Sequence, residues 1–188
     1  MIFFYRRDAE DAGRRVERVM KLLNEWGFSR EGLWNNQRGE YWVFVQGLLL
    51  IGFVLLPVAR FVEINSPELL YFSWEIGGAI ALFSSILIFK GLLDLGRNLT
   101  PLPYPRNDGQ LVQSGVYSIV RHPLYSGLVL AALSWTIFQV SLSHLIGTFV
   151  LFAFFNAKAS REEVWLSEKY PDYLEYRQRV KKLIPWVY

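Results

Sequence analysis

The longest uncharged stretch of the sequence constrains its fold more than any other feature. Residues 123–157 run for 35 positions without aspartate, glutamate, lysine or arginine, and a polar cluster lies near the middle at 139–144. A helix rises about 1.5 Å per residue, so about 20 residues cross the roughly 30 Å hydrocarbon core of a bilayer. The stretch is too long for one crossing. It therefore predicts a tight helical hairpin with spans over 123–139 and 143–158, whose second helix continues past Lys158.

Two earlier stretches also have the composition of membrane spans. The 19 residues from 41 to 59 carry no charge, and residues 69–89 carry one, Glu75. The chain is 52% hydrophobic and only 20% charged, whereas about a quarter of residues in soluble domains are charged. This composition excludes a disordered chain, and the absence of cysteine excludes disulfides and thiolate chemistry. The predicted fold class is all-α, a polytopic membrane protein with about four transmembrane helices.

The basic residues predict how these spans are oriented. Nineteen of the 20 lysines and arginines lie in residues 1–40, 90–122 and 158–188, which four crossings place on one side of the membrane. Arg60 lies on the other side. Because cytoplasmic loops are enriched in lysine and arginine, we expect both termini to be cytoplasmic. The compact plan fits an integral protein of a prokaryotic inner membrane.

The first forty residues predict a cytoplasmic amphipathic segment instead of a span. Between residues 9 and 26, apolar side chains recur at three- and four-residue spacing with basic side chains between them. Such a helix lies on the membrane surface or packs on the cytoplasmic face of the protein, and the sequence leaves both open. The chain thus divides into a segment over 1–40 and a membrane domain over 41–188, which ends in a cytoplasmic helix.

The loop before the hairpin has the composition of a binding loop. Residues 96–127 read GRNLTPLPYPRNDGQLVQSGVYSIVRHPLYSG, with prolines that prevent a regular helix. Irregular backbone at a membrane edge is tolerated where it lines a cavity or contacts a polar ligand. Pro123 suits the first position of a helix, so Arg121 and His122 would come at a helix N-terminus, which favours a carboxylate or phosphate. Their alternative roles are a positive-inside anchor and an N-terminal cap.

Several other chemistries find no support in the sequence. His122 and His144 are the two histidines and are expected on opposite sides of the membrane, so no metal site is predicted. Neither the dinucleotide-binding fingerprint nor the P-loop pattern occurs, and nothing indicates nucleic-acid binding. Glu162 and Glu163 are sequence neighbours, which point about 100° apart on a helix and do not form a ready-made acid–base dyad.

Two motifs on either side of the predicted hairpin resemble those of the isoprenylcysteine carboxyl methyltransferase family. They read LVQSGVYSIVRHPLYSG over 111–127 and REEVWLSEKYPDYLEYRQRVKKLIP over 161–185. The resemblance covers residues 96–188, about half the chain. The string RHPLY alone is less specific, because membrane sterol reductases and phospholipid N-methyltransferases carry similar strings.

The resemblance implies methyl transfer from S-adenosylmethionine, which leaves S-adenosylhomocysteine, at the cytoplasmic face of the membrane. The cofactor site would be built from residues 96–127 and 158–188. The implied acceptor is a lipophilic molecule or lipid-modified peptide among the membrane lipids, with a carboxylate such as that of a prenylcysteine. The alternatives are a sterol-type NADPH reductase, a phospholipid N-methyltransferase and a non-catalytic membrane scaffold.

The resemblance also implies roles for particular residues. Eukaryotic members have a substrate-side arginine where this chain has Lys158, and Arg161 is a candidate to take over that role. Glu162 would bind the ammonium or ribose of the cofactor. The implied cofactor contacts are Gly109, Gln110, Leu111, Val112, Tyr117, Arg121, His122, Pro123, Leu124, Tyr125 and Glu162.

Overall fold

The computed structural model describes residues 14–18, 20–21, 26–28, 30–60 and 66–188. From residue 30 onward these form six α-helices: α1 (Arg30–Asn35), α2 (Glu40–Val54), α3 (Pro67–Leu95), α4 (Pro123–Gln139), α5 (Leu142–Lys169) and α6 (Tyr173–Arg179). Two 3₁₀ turns lie between α3 and α4, at Gly96–Asn98 and Gly115–Ser118. The described residues contain isolated β-bridges but no strand. The predicted all-α class is therefore confirmed.

The helix predicted over 41–59 is wrong at its C-terminal end. α2 has 15 residues and stops at Val54, and residues 56–59 are irregular. Pro57 explains the early end, because proline lacks a backbone N–H and disfavours helical backbone at the preceding residue. An uncharged composition indicated the apolar environment of this segment but did not set the length of its helix.

Among the described residues, two helices are long and apolar enough to cross a membrane by length and composition, Pro67–Asn98, which is α3 with the 3₁₀ turn that follows it, and Leu142–Lys169. The first includes the predicted span over 69–89 and extends beyond it at both ends. Large apolar side chains such as Phe89 and Phe149 are exposed on these helices. An apolar surface of this extent matches hydrocarbon better than water, and the fold is consistent with that of a polytopic membrane protein.

The hairpin predicted over 123–158 is present. α4 and α5 are joined by Val140 and Ser141, at the polar cluster where the turn was expected. The backbone N–H of Leu142 donates to the Ala59 carbonyl at 2.7 Å, and Arg60 pairs with Ser141 in an isolated bridge. The segment after α2 and the hairpin turn therefore lie at the same end of the helices. α5 continues past Lys158, as the sequence predicted, and ends at Lys169.

Small residues let α3 and α4 pack closely. A Cβ added to Gly127 of α4 would lie 2.5 Å from an Ile88 side-chain carbon of α3. The Ser84 hydroxyl donates to the Gly127 carbonyl at 2.8 Å, and the Ser134 hydroxyl donates to the Gly77 carbonyl at 2.8 Å. Close approach through small residues and interhelical hydrogen bonds is typical of helices in membranes. This packing holds the N-terminus of α4 in place beside α3.

Most of the predicted amphipathic helix over 9–26 lies outside the described residues. The parts that are described, 14–18 and 20–21, are helical and exposed. The carbonyl of Trp26 accepts a hydrogen bond from the Thr100 hydroxyl at 3.0 Å. The chain just before α1 is therefore attached to the loop that follows α3.

Candidate functional site

The N-terminus of α4 and the C-terminal residues of the chain meet beside α5. The backbone N–H of Arg121 donates to the Lys181 carbonyl at 2.8 Å, and that of His122 donates to the Lys182 carbonyl at 3.2 Å. Pro123 opens α4, as predicted, and His122 is the residue that precedes it. The His122 side chain makes no capping hydrogen bond. His122 therefore occupies the N-cap position, as its alternative role expected, but its backbone carbonyl, which accepts from the Ser126 N–H, makes the capping contact in place of its side chain.

A buried ion pair cross-links these segments. The Arg121 guanidinium lies 2.7 Å from Glu163 Oε1, and the two side chains are 7% and 5% exposed. Arg121 also donates to the backbone carbonyls of Arg177 and Val180. Charge-assisted hydrogen bonds of this kind are stronger than neutral ones. Arg121 is thus a link between α4, α5 and the C-terminal segment, and not an exposed positive-inside anchor.

Glu162, the sequence neighbour of Glu163, has different hydrogen-bond partners. Glu162 accepts a hydrogen bond from the Tyr125 hydroxyl at 2.8 Å, and its Oε2 lies 3.8 Å from His122 Nδ1. The other ring nitrogen of His122, Nε2, lies 3.2 Å from Glu163 Oε1. The His122 ring therefore lies between the two glutamates and stacks on the Tyr125 ring at 5.5 Å. The two carboxylates therefore face opposite nitrogens of one imidazole ring, although they are sequence neighbours expected to point about 100° apart.

A first cavity of about 90 Å³ lies between the loop after α3, α5 and α6. Its walls include apolar side chains such as Leu166 and the rings of Tyr170 and Tyr176. Eight of the predicted cofactor contacts line it: Gly109, Gln110, Leu111, Val112, Tyr117, Arg121, His122 and Glu162. One wall is thus built by the irregular loop that the sequence marked as a binding loop.

The loop is held in shape by hydrogen bonds of its own. Asn98 Oδ1 accepts from the backbone N–H of Gln110 at 2.7 Å, and Asp94 Oδ2 accepts from that of Val116 at 2.9 Å. Gly115 has φ +62°, and a Cβ there would lie 2.0 Å from Asp94 Oδ2. Glycine is required at this position both by the backbone conformation and by the space.

A second cavity of about 330 Å³ adjoins the first. The two share Tyr117, Arg121, His122 and Glu162 among their lining residues. The remaining predicted cofactor contacts line the second cavity, together with one predicted acceptor residue: Pro123, Leu124, Tyr125 and Lys158. Its other walls are mainly apolar and come from α3 and α4, including Ile88, Leu92 and Leu128.

The two cations proposed for the acceptor lie in different environments. Lys158 is 1% exposed and lines the second cavity, where its Nζ lies 5.2 Å from the centre of the Tyr125 ring. Arg161 lines neither cavity, is exposed, and stacks on Trp165 at 4.5 Å. The structure therefore brings Lys158 to the cavities and leaves Arg161 outside them.

The contacts of Lys158 are neutral. Its Nζ donates to Gln46 Oε1 at 2.6 Å and to the Pro101 carbonyl at 3.2 Å. No carboxylate of the described residues forms an ion pair with it. Buried charges in proteins are ordinarily paired, because removing an ion from water is costly. The second cavity thus contains an ammonium group that has no carboxylate of the described residues within ion-pair distance, and the Glu162 carboxylate, which lines the same cavity, acts on it only from farther away.

Sequence reasoning missed three residues that the site uses. Gln46 was counted as part of an apolar span, although it is the only amide in residues 41–59, and that exception was the available signal. Glu163 was matched to a motif, but its ion pair with Arg121 was not foreseen. Tyr173 was likewise matched without a role, although it lines the first cavity. No local sequence pattern predicts the contacts of Glu163 and Tyr173.

Five tyrosines line one or both cavities, and burial strongly shifts the pKa of three of them, all outside the long apolar helices, in the same direction. Burial is the main cause that raises the pKa of Tyr117, Tyr173 and Tyr176 well above the usual value of about 10. The Tyr176 hydroxyl donates to the Tyr117 carbonyl at 2.6 Å, and the Tyr117 hydroxyl donates to the Gly91 carbonyl at 3.4 Å. These phenols therefore stay neutral and serve as hydrogen-bond donors near pH 7.

No metal centre emerges from the part of the chain that the structure describes, where no group of three or more potential ligand side chains comes together. The donors and acceptors around the cavities are carboxylate, ammonium, imidazole and phenol groups. Such groups can bind a polar organic ligand that carries charges of both signs.

Comparison with known proteins gives a consistent result. Residues 72–173 match the family described as phospholipid methyltransferase, which is more than half the chain. Protein-S-isoprenylcysteine O-methyltransferase B of Arabidopsis thaliana is 30% identical over 115 residues, which cover 59% of this chain and 58% of that protein. Methanethiol S-methyltransferase 1 of Bradyrhizobium diazoefficiens is 28% identical over 165 residues, 80% of this chain and 55% of that protein.

The fold is also that of a solved relative. The structure of the eukaryotic intramembrane Ras methyltransferase ICMT, an isoprenylcysteine carboxyl methyltransferase, matches with a TM-score of 0.56 and 20% identity. The match covers 86% of this chain and 55% of that one, so the chain spans little more than half the length of these relatives. The similarity expected from the two motifs is confirmed. By the extent of the family match, the chain belongs to the phospholipid methyltransferase family, with isoprenylcysteine O-methyltransferases among its relatives.

Proposed function

We propose that this protein is an integral membrane methyltransferase that transfers a methyl group from S-adenosylmethionine to the carboxylate of a lipophilic, prenylcysteine-like acceptor. One observation carries the choice of acceptor. The ammonium of Lys158 is buried in the second cavity, its direct contacts are neutral, and no carboxylate of the described residues lies within ion-pair distance of it. An anionic acceptor group would supply the missing charge, and a carboxylate also offers two oxygens to the remaining donor of the ammonium.

The membrane arrangement belongs to this proposal. The protein would cross four times, through α2 to α5, with both termini and the site cytoplasmic, in a prokaryotic inner membrane. Two findings support this arrangement. The turn between α4 and α5 lies beside Arg60, the one basic residue between the first two spans. Basic residues of the C-terminal segment, Lys181 and Lys182, lie at the opposite end of α4, where the positive-inside rule expects them.

The residues around the first cavity fit the cofactor. When bound, S-adenosylmethionine supplies an electrophilic methyl group on a sulfonium centre. Glu162 would hold the ammonium of its amino-acid part, and the aromatic rings of Tyr117 at the junction and of Tyr125 in the second cavity suit a sulfonium. Ligand sites ordinarily have volumes of about 300–1,000 Å³. The first cavity alone is small, so the cofactor would also use the junction with the second cavity, where Pro123 and Leu124 lie.

The acceptor side needs little from the protein beyond position and charge. An ionised carboxylate is already a nucleophile, so no general base is required. Lys158 would hold it by charge pairing, and orientation in line with the methyl group can supply much of the rate acceleration. The apolar walls formed by Leu92 and Leu128 suit the lipophilic part of the acceptor and exclude water from the reacting groups.

A second candidate function follows from the family match, whose description names phospholipids. A phospholipid acceptor would present an amine, which must lose a proton before it can accept a methyl group. The buried Lys158 ammonium opposes a cationic acceptor, so the site favours an anion. A thiolate acceptor is also anionic, and the methyl-transfer test distinguishes its S-methyl product from a carboxyl methyl ester. The reductase alternative finds no support in the family match.

The test measures transfer of tritiated methyl from S-adenosylmethionine to N-acetyl-S-farnesylcysteine, ethanolamine phospholipid and a long-chain thiol. A carboxyl methyl ester releases its label as methanol in alkali, whereas N-methyl and S-methyl groups do not. We expect alkali-labile product from the farnesylcysteine. Label that resists alkali would overturn the carboxylate assignment, and the absence of transfer to any acceptor by folded, cofactor-binding protein would favour a scaffold.

Two matched variants test the role of the ammonium. Lys158→Met removes the cation from the cavity, and Arg161→Met removes a cation less than one turn away on the same helix. A hydrogen bond to a charged group contributes about 1.5–3 kcal/mol, so Lys158→Met should lower kcat/KM for the acceptor by about 10-fold or more. Arg161→Met should change it little. Equal effects of the two substitutions would contradict the assignment.

A further inference from the structure

We propose that the hydroxyl of Tyr173 is a cofactor-binding group, which donates a hydrogen bond to the carboxylate at the amino-acid end of the bound cofactor. This inference rests on the proposed function and adds to it a residue for which the motifs gave no role. It starts from an unusual feature of the first cavity. Tyr173 is 1% exposed, and its hydroxyl has no hydrogen-bond partner among the described residues.

A buried hydroxyl without a partner is costly to the folded protein. The desolvation penalty of such a group is about 1–3 kcal/mol, and most buried polar groups in native proteins avoid it. Three neighbouring phenols do so. Tyr117 and Tyr176 donate to backbone carbonyls, and Tyr125 donates to Glu162. Tyr173 lines the first cavity, so a bound ligand can supply the hydrogen-bond acceptor that the described residues do not.

The charges around Tyr173 indicate which part of the bound ligand accepts the hydrogen bond of its hydroxyl. Tyr173 lines the first cavity together with Arg121 and Glu162, which also line the second, and both of these residues act electrostatically on its phenol, as does Glu163. Burial raises the pKa of Tyr173, so the group keeps its proton and acts as a donor at neutral pH. At this junction the cofactor would present its ammonium and its carboxylate, and of these only the carboxylate accepts hydrogen bonds.

The cationic groups at the junction are already engaged. Arg121 directs its guanidinium to Glu163 and to two backbone carbonyls. The ring nitrogens of His122 face Glu163 at 3.2 Å and Glu162 at 3.8 Å. Both residues were predicted to bind the cofactor carboxylate, but their donors have partners within the protein. A neutral donor that has no partner is therefore the group best suited to the carboxylate, and Tyr173 provides it.

The experiment compares two ligands and two variants by calorimetric titration of detergent-purified protein. The ligands are S-adenosylhomocysteine and its decarboxylated analogue, which keeps the adenosine, the thioether and the amine. Tyr173→Phe removes only the hydroxyl. Tyr176→Phe, three residues away on α6, is the matched control, because its hydroxyl is committed to the Tyr117 carbonyl at 2.6 Å. The melting temperature of each ligand-free variant is measured alongside.

We expect Tyr173→Phe to weaken S-adenosylhomocysteine binding by about 10-fold or more, as the loss of a hydrogen bond to a charged group would. Binding of the decarboxylated analogue should stay within about 2-fold of wild type. Ligand-free Tyr173→Phe should melt at or above the wild-type temperature, because the variant loses a hydroxyl that had no partner. Tyr176→Phe should melt below it.

Three other outcomes would each overturn the inference. Unchanged affinity of Tyr173→Phe for S-adenosylhomocysteine would show that the hydroxyl does not contact the ligand. Equal losses for both ligands would show that it contacts a group other than the carboxylate. A failure of wild-type protein to bind S-adenosylhomocysteine would remove the proposed function itself, and the wild-type titration distinguishes that result from the first two.

Discussion

Replacing Glu163 by glutamine should destabilise the folded protein severely, although the two side chains have nearly the same shape. The carboxylate is 5% exposed and contacts the Arg121 guanidinium at 2.7 Å, with His122 Nε2 at 3.2 Å. Glutamine keeps the size and one acceptor oxygen but removes the charge. Breaking a buried pair by removing one partner costs about 3–5 kcal/mol, because the other charge is left buried and uncompensated.

The magnitude can be measured as a melting temperature. For a chain of 150–250 residues, each kcal/mol lowers the midpoint by about 2–4 °C. Glu163→Gln should therefore melt about 6–20 °C below wild type in the same detergent. The matched control is Glu162→Gln, whose side chain is 25% exposed and bonded to a neutral phenol. We expect its melting temperature to stay within a few degrees of wild type.

Thermal unfolding is followed by the fluorescence of a dye or of the seven tryptophans. The reasoning requires the two neighbouring glutamates to differ. If both variants melted at the same temperature, or if Glu162→Gln melted lower, the Arg121–Glu163 pair would not be the cross-link described above. A double variant with Arg121→Met would then be informative. It should recover part of the loss, because no unpaired charge remains buried.

Three further expectations concern stability. Gly115→Ala should lower the melting temperature by several degrees, because alanine is strained at φ +62° and its Cβ would meet Asp94; an unchanged temperature would mean that the loop relaxes freely. Ser84→Ala should lower the free energy of unfolding by about 1 kcal/mol, because it removes one hydrogen bond to the Gly127 carbonyl. A larger effect, or none, in the same melting assay would contradict a single hydrogen bond of ordinary strength. Stability should also fall above about pH 10, where the folded state retains phenol protons that the unfolded chain loses. The tyrosines responsible are Tyr117, Tyr173 and Tyr176. For each of them, the free energy of unfolding should fall by up to about 1.4 kcal/mol per pH unit. A melting temperature that is constant between pH 9 and 11 would refute this expectation.

Much of the fold could be predicted because membranes impose simple length rules on a sequence. The uncharged run over 123–157, with its polar centre, allowed only a hairpin, and α4 and α5 occupy it. The end of α2 was missed for a local reason. Proline at 57 ends a helix whatever the hydropathy of its neighbours, whereas the absence of charge predicts only an apolar environment.

The site could be predicted where motifs named residues that line one wall, and not where distant elements meet. The loop residues from Gly109 to Val112 line the first cavity, as the resemblance implied. The contact between Gln46 and Lys158 joins positions 112 apart in the chain, and no periodicity encodes such a pair. Arg121 illustrates the same limit. Its residue type predicted an anion partner, but that partner is Glu163 of this protein.

The central claim is that this chain binds an S-adenosyl cofactor through Glu162 at the junction of the two cavities. Calorimetric titration of S-adenosylhomocysteine into detergent-purified protein tests it most directly, with Glu162→Ala measured beside wild type. We expect saturable binding by wild type and a loss of about 10-fold or more in the variant, because the ammonium of the ligand would lose its carboxylate partner. No binding by folded wild-type protein, or equal binding by both proteins, would contradict the claim.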